Sequence, residues 1–151
     1  MRIVLQRVTR SAVSVDGALV ASIGEGLLLL VGIEPGDRDE DIDAAVGKVT
    51  NLRVFADAEG RMNRSLLDVG GSALVVSQFT LLGDIGRGRR PSFTRAAPPE
   101  VAEPMVSRFA EGLSRAGVET ETGVFGARME VDLVNDGPVT LLLEVRGGRV
   151  S

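Results

Sequence analysis

Apolar and polar residues alternate from the first positions of the chain, and the pattern predicts a strand over 2–15. Ile3, Leu5, Val13 and Val15 share one parity and Val4 and Val8 the other, so this strand is expected to be long and bent. Asp16-Gly17 is a two-residue hairpin signal. A second strand over 18–23 follows it, and Gly24-Glu25-Gly26 turns into a third over 26–33. Leu27-Leu28-Leu29-Leu30-Val31 is apolar on both parities, the mark of a central strand covered on two faces. After Glu34-Pro35-Gly36 the period changes. Ile42, Ala45, Val46, Val49 and Leu52 recur at three- and four-residue spacing, which predicts a helix over 38–52 with Asp37 or Asp39 available as cap.

Arg53-Val54-Phe55 reads as the start of a short strand closed by Asp57-Ala58-Glu59-Gly60, and 72–79 reads as a further strand of mixed parity. The segment 83–97 has neither period. It holds Gly83, Gly86, Gly88 and Pro91 with Arg87, Arg89, Arg90 and Arg95, and a long irregular loop in a compact domain is more often functional than idle. A second helix is predicted over 99–115, with Ala102, Met105, Phe109 and Leu113 inward, Gly117 as terminator, and Pro104 weakening the first turn. A strand over 118–124 comes next. Finally 128–134 and 140–145 alternate on either side of Asn135-Asp136-Gly137-Pro138, a terminal hairpin by turn chemistry. The expected fold is α+β, a mostly antiparallel twisted sheet or partial barrel with two helices, in one domain over 1–151.

Composition removes whole classes of chemistry. The chain has 151 residues, 44% of them apolar and 25% charged, an ordinary globular balance. It contains no Cys and no His. A disulfide framework, a Cys/His zinc site and a histidine-based nucleophile system are therefore excluded. No acidic cluster has calcium-loop spacing, so no metal and no cofactor is expected. Apolar runs are too short to span a bilayer and no leader pattern is seen, which predicts a cytoplasmic protein without membrane contact. A net charge of −4 argues against a general nucleic-acid coat and against DNA as partner, while leaving room for a local basic loop.

Three stretches can carry chemistry, and each has a plain alternative. Ser77-Gln78-Phe79-Thr80 closes an apolar strand, where hydroxyls, an amide and main-chain N–H groups could line a cleft or merely satisfy local backbone. Arg87-Gly88-Arg89-Arg90-Pro91-Ser92-Phe93-Thr94-Arg95 could grip phosphates through guanidinium forks or be a solvated charged loop. Gly137-Pro138 could be a simple trans turn, which is the commoner state of an X-Pro bond, or a cis bond in a tight turn.

Taken together, Ser77-Gln78-Phe79-Thr80-Leu81 and Asn135-Asp136-Gly137-Pro138-Val139-Thr140 resemble the two long motifs of the D-aminoacyl-tRNA deacylases. Met1-Arg2-Ile3-Val4-Leu5-Gln6-Arg7-Val8, Arg90-Pro91-Ser92-Phe93 and Gly123-Val124-Phe125-Gly126-Ala127 fit as further segments, so the similarity spans essentially the whole chain. The resemblance implies a homodimeric hydrolase that cleaves the ester joining a D-amino acid, or glycine, to the 3′ end of tRNA. It implies catalytic positions at Ser77, Gln78, Phe79 and Thr80. It also implies a substrate-binding and chiral-selection set of Gly137, Pro138, Arg7, Phe93, Phe125, Gly126, Ala127 and Met129. In that scheme a cis Gly137-Pro138 turn enters the partner's pocket with two carbonyls facing the substrate's amino group, and an L side chain clashes with main chain. Arg7 either holds this turn through carbonyls or is a partly exposed sheet residue. Without a histidine to deprotonate Thr80, water is the preferred nucleophile, and the resemblance implies that the terminal ribose 2′-hydroxyl assists it. A non-catalytic RNA-binding module and a purely structural dimer are the competing functions.

Overall fold

The computed structural model describes residues 1–151. Three strands open the chain as a meander: β1 (Arg2–Val15), β2 (Ala18–Ile23) and β3 (Gly26–Gly32). Asp16 and Gly17 between β1 and β2 both have positive φ, 51° and 77°, as the tightest hairpin turn requires. There follow α1 (Asp39–Asn51), β4 (Phe55–Ala56), β5 (Met62–Arg64), α2 (Leu66–Val69), β6 (Ser72–Ser77), a 3-10 turn over Phe79–Leu82, α3 (Pro99–Arg115), β7 (Glu119–Thr122), β8 (Met129–Arg146) and β9 (Arg149–Val150).

The main sheet runs in the order β7-β6-β3-β1-β8-β9, with β2 also on β1. β1 bends as its mixed parity suggested. Its first half, from Arg2↔Gly32 to Val8↔Gly26, pairs with β3, and its second half, from Ser11↔Ile23 to Val15↔Ala18, pairs with β2. The bend curls the sheet around a small inner cluster of Val8, Val13, Ala21, Ile23, Leu28, Leu74 and Val76. The other face carries the larger core, in which Ile3, Leu5, Leu27, Leu29, Val31 and Val75 meet Val49, Phe109 and Leu113 of the helices. β3 supplies both clusters, which is why its apolar run has no period. Full burial of Phe109 or Leu113 stabilises by roughly 1.5–3 kcal/mol each.

The α+β class holds, with four differences in detail. β3 and β6 run parallel, as do β6 and β7, because the helices carry the chain back across one face between them. A third, four-residue helix, α2, sits before β6, where Ser65 accepts from the Asp68 N–H and Asp68 accepts from the Ser65 N–H. Neither Asp37 nor Asp39 caps α1. Asp37 accepts from the Met1 ammonium and the Glu34 N–H instead, Arg38 takes the N-cap position, and Asp41 accepts from its N–H at 2.9 Å. The fourth difference is the largest. The stretch read as a terminal hairpin is one strand that never reverses: β8 pairs with β1 from Arg2↔Glu144 to Val15↔Met129. β1 offers ladder partners to both arms, so neither arm needs the other.

Candidate active site

The strand expected over 72–79 stops at Ser77, and the reason defines the site. Gln78 still donates its N–H to the Val31 carbonyl at 2.7 Å, extending the parallel pairing, and then turns the chain into the 3-10 segment. A cleft of about 380 Å³ opens there, at the carboxyl ends of the parallel strands β3 and β6, a usual place for a ligand in sheets of this kind. Its walls are Val31, Ile33, Ser77, Gln78 and Phe79, the loop residues Phe93, Ala96 and Ala97, Pro99, Ala102 and Val106 of α3, and Phe125 and Gly126. None of these side chains is ionisable. Glu103 lines an adjoining hollow with Ser77 and Phe125 and does not line the cleft.

The 3-10 turn is held from several sides. Arg2 donates to the Leu81 carbonyl at 2.8 Å and pairs with Glu144 at 2.7 Å, tying the turn to β1 and β8. Gln78 Nε2 donates to Thr80 Oγ1. Phe79 and Phe93 meet edge to face with centroids 5.1 Å apart. Gly83 permits this: a Cβ there would stand 2.9 Å from Phe93 Cε1 and 3.1 Å from the Thr80 carbonyl. Phe79 and Thr80 are the first two residues of the turn, where N–H groups have no intrahelical acceptor.

The Asn135–Thr140 segment is a wide bulge. Between the pairs Gln6↔Thr140 and Val8↔Asn135, β1 has only Arg7 while β8 has Asp136, Gly137, Pro138 and Val139. The Gly137-Pro138 peptide is cis, and Gly137 has φ +137°. Asn135 closes the bulge with its side chain: Oδ1 accepts from the Val139 N–H at 2.7 Å and Nδ2 donates to the Val139 carbonyl at 3.1 Å. Arg7 braces it from the other side, donating Nε to the Asp136 carbonyl at 2.9 Å and Nη1 to the Val54 carbonyl. Its side chain is only 12% exposed, so Arg7 is a brace and not a solvent-facing sheet residue. The carbonyl it holds is that of Asp136, not those of Gly137 or Pro138.

The structure thus brings Ser77, Gln78, Phe79, Phe93, Phe125 and Gly126 together around the cleft. Thr80 is exposed beside it, bonded to Gln78. Ala127 ends the turn it makes with Val124, and Met129 packs under Gly123, whose Cβ would lie 2.7 Å from the Met129 sulfur. Neither lines the cleft. Gly137, Pro138 and Arg7 are absent from its walls too, since the bulge stands exposed elsewhere on the chain. Sequence reasoning missed the Asn135 clasp, the Arg2 tie and Glu34. Glu34 binds Arg95 at 2.7 Å and anchors the end of the arginine loop, helped by the Ala97 N–H to the Ile33 carbonyl at 2.8 Å. The Arg2 and Glu34 contacts have no local signal, because their partners are distant along the chain, whereas the Asn135 clasp reaches only to Val139 and Thr140 and shows once the segment is a bulge and not a turn. Burial pushes the Glu34 carboxyl up, but Arg95, the Met1 ammonium and Arg146 outweigh it and hold the group below the usual carboxylate range.

Fold and cleft define an α+β protein whose small-molecule-sized site presents hydroxyl, amide and main-chain groups and no acid, base or thiol of its own. The family model described as D-Tyr-tRNA(Tyr) deacylase matches residues 4–144. A D-aminoacyl-tRNA deacylase of Thermomicrobium roseum is 61% identical over 100% of both chains, and one of Roseiflexus castenholzii is 58% identical over 95% of this chain and 92% of its own. Among solved structures, the c-Myc DNA Unwinding Element Binding Protein superposes with a TM-score of 0.90 at 41% identity, covering 95% of this chain and 98% of that one. The chain belongs to the D-aminoacyl-tRNA deacylase family. It is a hydrolase of translation quality control.

Proposed function

We propose that the chain acts in the cytoplasm as a homodimer that hydrolyses the ester of D-aminoacyl-tRNA and of mischarged glycyl-tRNA. L-aminoacyl esters are refused by the Gly137-Pro138 bulge of the partner subunit. The observation that carries this is the bulge itself: clasped by Asn135, braced by Arg7, exposed, and contributing nothing to its own chain's cleft. A rigid main-chain protrusion of this kind suits a neighbour's pocket. An apolar row, exposed at Leu142 and half-buried at Val4 and Leu30, supports a second copy. Leu142, 56% exposed, pairs across with Val4, and Val4 with Leu30, on the face of the sheet away from the helices.

Chemistry follows from the uncharged walls. No lining side chain can take a proton from Thr80 or from water, so the substrate's own 2′-hydroxyl assists a water molecule. The water oxygen bonds to the ester carbon while the N–H groups of Phe79 and Thr80 hold the developing oxyanion. The bond to the ribose oxygen then breaks, and that oxygen leaves with a proton. Ser77 and Gln78 shape the corner, and Phe79, Phe93, Phe125 and Gly126 bound the space left for a D side chain. Glycine has no side chain to clash and is accepted.

The test is deacylation of matched D- and L-aminoacyl-tRNA, together with glycyl-tRNA, by the wild-type chain and by Leu142→Glu. Cleavage of the D and glycyl esters with the L ester spared is expected, and the variant should be monomeric with that selectivity lost. Equal cleavage of both hands, or a monomeric wild type with full selectivity, would overturn it.

A further inference from the structure

The segment 83–97 has a shape that its irregular sequence hid. Asp84 and Ser92 exchange main-chain hydrogen bonds at 2.7 and 2.9 Å, closing a small hairpin, and Asp84 Oδ1 takes the Gly86 N–H at 2.8 Å. Asp84 is the only acid between 83 and 97, its Oδ1 accepts that N–H, and it forms no ion pair with the arginines. Arg87, Arg89 and Arg90 project from the hairpin, exposed, without a hydrogen bond or an ion pair to any other group of the protein. Their situation differs from that of Arg2, Arg7, Arg10, Arg95, Arg108 and Arg146, each of which has an acidic partner. On a chain of net charge −4, three unpaired guanidiniums within four residues make a local basic cluster.

The hairpin's position matters more than its charge. Its base runs directly into Phe93, which lines the cleft and packs on Phe79, and the Arg95–Glu34 pair pins the turn that leaves it. The hairpin that carries the arginines is therefore continuous with the cleft wall through Ser92-Phe93.

We infer that Arg87, Arg89 and Arg90 form a phosphate grip for the single-stranded 3′ end of the tRNA, holding the backbone just outside the cleft while the ester lies inside. This rests on the function proposed above. An ester seated at Ser77–Thr80 leaves the next phosphates of its own strand at the mouth. Guanidinium forks match phosphate oxygens two at a time, and glycines at 86 and 88 leave room for a backbone to approach. The grip reads no base, so it serves every tRNA alike.

The experiment measures binding of uncharged tRNA as a function of salt, which needs no catalysis. The proteins compared are wild type, the combined variant Arg87→Ala, Arg89→Ala, Arg90→Ala, the corresponding triple Lys variant, and Arg115→Ala. Arg115 also lacks an acidic partner but sits at the far end of α3 from the cleft, so it controls for the loss of one positive charge away from the hairpin. Single-strand contacts contribute a log–log slope of about 0.7 each, so the triple Ala variant should bind with a slope shallower by about 2. Triple Lys should keep most of the slope, since a point charge still releases the counterion, and Arg115→Ala should leave it unchanged. Deacylation by the triple Ala variant should show a raised KM, with kcat and the D-to-L preference within about twofold of wild type. An unchanged slope in the triple Ala variant, or no binding of uncharged tRNA by wild type at any salt, would overturn the inference. Loss of the D-to-L preference in wild type would instead sink the proposed function and leave the slope to be judged by itself.

Discussion

Placing a methyl group on Gly137 is the most direct challenge to the bulge. Its φ of +137° lies in a region that residues with a Cβ rarely adopt, a cost of about 1–3 kcal/mol. The added Cβ would also stand 2.8 Å from Val139 Cγ2, 2.9 Å from Arg7 Nη2 and 3.1 Å from the Val139 nitrogen. The Val139 nitrogen is held by Asn135 and the Val139 side chain is buried, so Arg7 is the group that can yield. Moving it loosens the bond from Nε to the Asp136 carbonyl, a charge-assisted contact of about 1.5–3 kcal/mol. Together Gly137→Ala should cost roughly 2.5–6 kcal/mol, and at about 2–4 °C per kcal/mol the Tm should fall by about 5–24 °C. In an Arg7→Ala background the same methyl no longer meets Nη2, so its cost should shrink by about 0.5–3 kcal/mol, the range found for residues in contact. Thermal unfolding of the four proteins of this cycle, with D- and L-aminoacyl-tRNA turnover on each, gives both readouts. Where Gly137→Ala still folds at the assay temperature, the D-to-L preference should fall at least tenfold, about 1.4 kcal/mol. Strict additivity with a wild-type Tm would refute the claim that Arg7 and Asn135 hold this segment against distortion.

Two further outcomes follow from other parts of the site. Thr80→Ala removes a hydroxyl bonded only to Gln78, so kcat should fall modestly, by about tenfold or less. Near-total loss with a trappable acyl-enzyme would instead make Thr80 the nucleophile. For Glu34, the folded carboxyl lies below its ordinary value, so its stabilising contribution is complete above that value and is lost as pH falls through the lower folded one. Glu34→Gln should therefore lower Tm at neutral pH and flatten its decline below about pH 4, and an unchanged acid limb would contradict the role given to this pair.

The sequence by itself determined the elements whose cause is local. The Asp16-Gly17 turn, the period of α1, the extent of α3 and the two-faced apolar run of β3 all follow from neighbours along the chain. The absence of Cys and His likewise settled in advance which nucleophile systems the cleft could not contain. Tertiary structure decided whatever depended on which strand lies beside which. Asn-Asp-Gly-Pro has the chemistry of a reversal, but hydrogen-bond partners along all of β1 kept both arms in line and turned the tetrad into a bulge. The parallel pairing of β3 with β6 placed the cleft at their shared carboxyl ends, and no period in either strand encodes that orientation. Arg2, Arg7 and Glu34 acquire their roles from partners that arrive only on folding, because a side chain's hydrogen bonds depend on distance in space and not on separation in sequence.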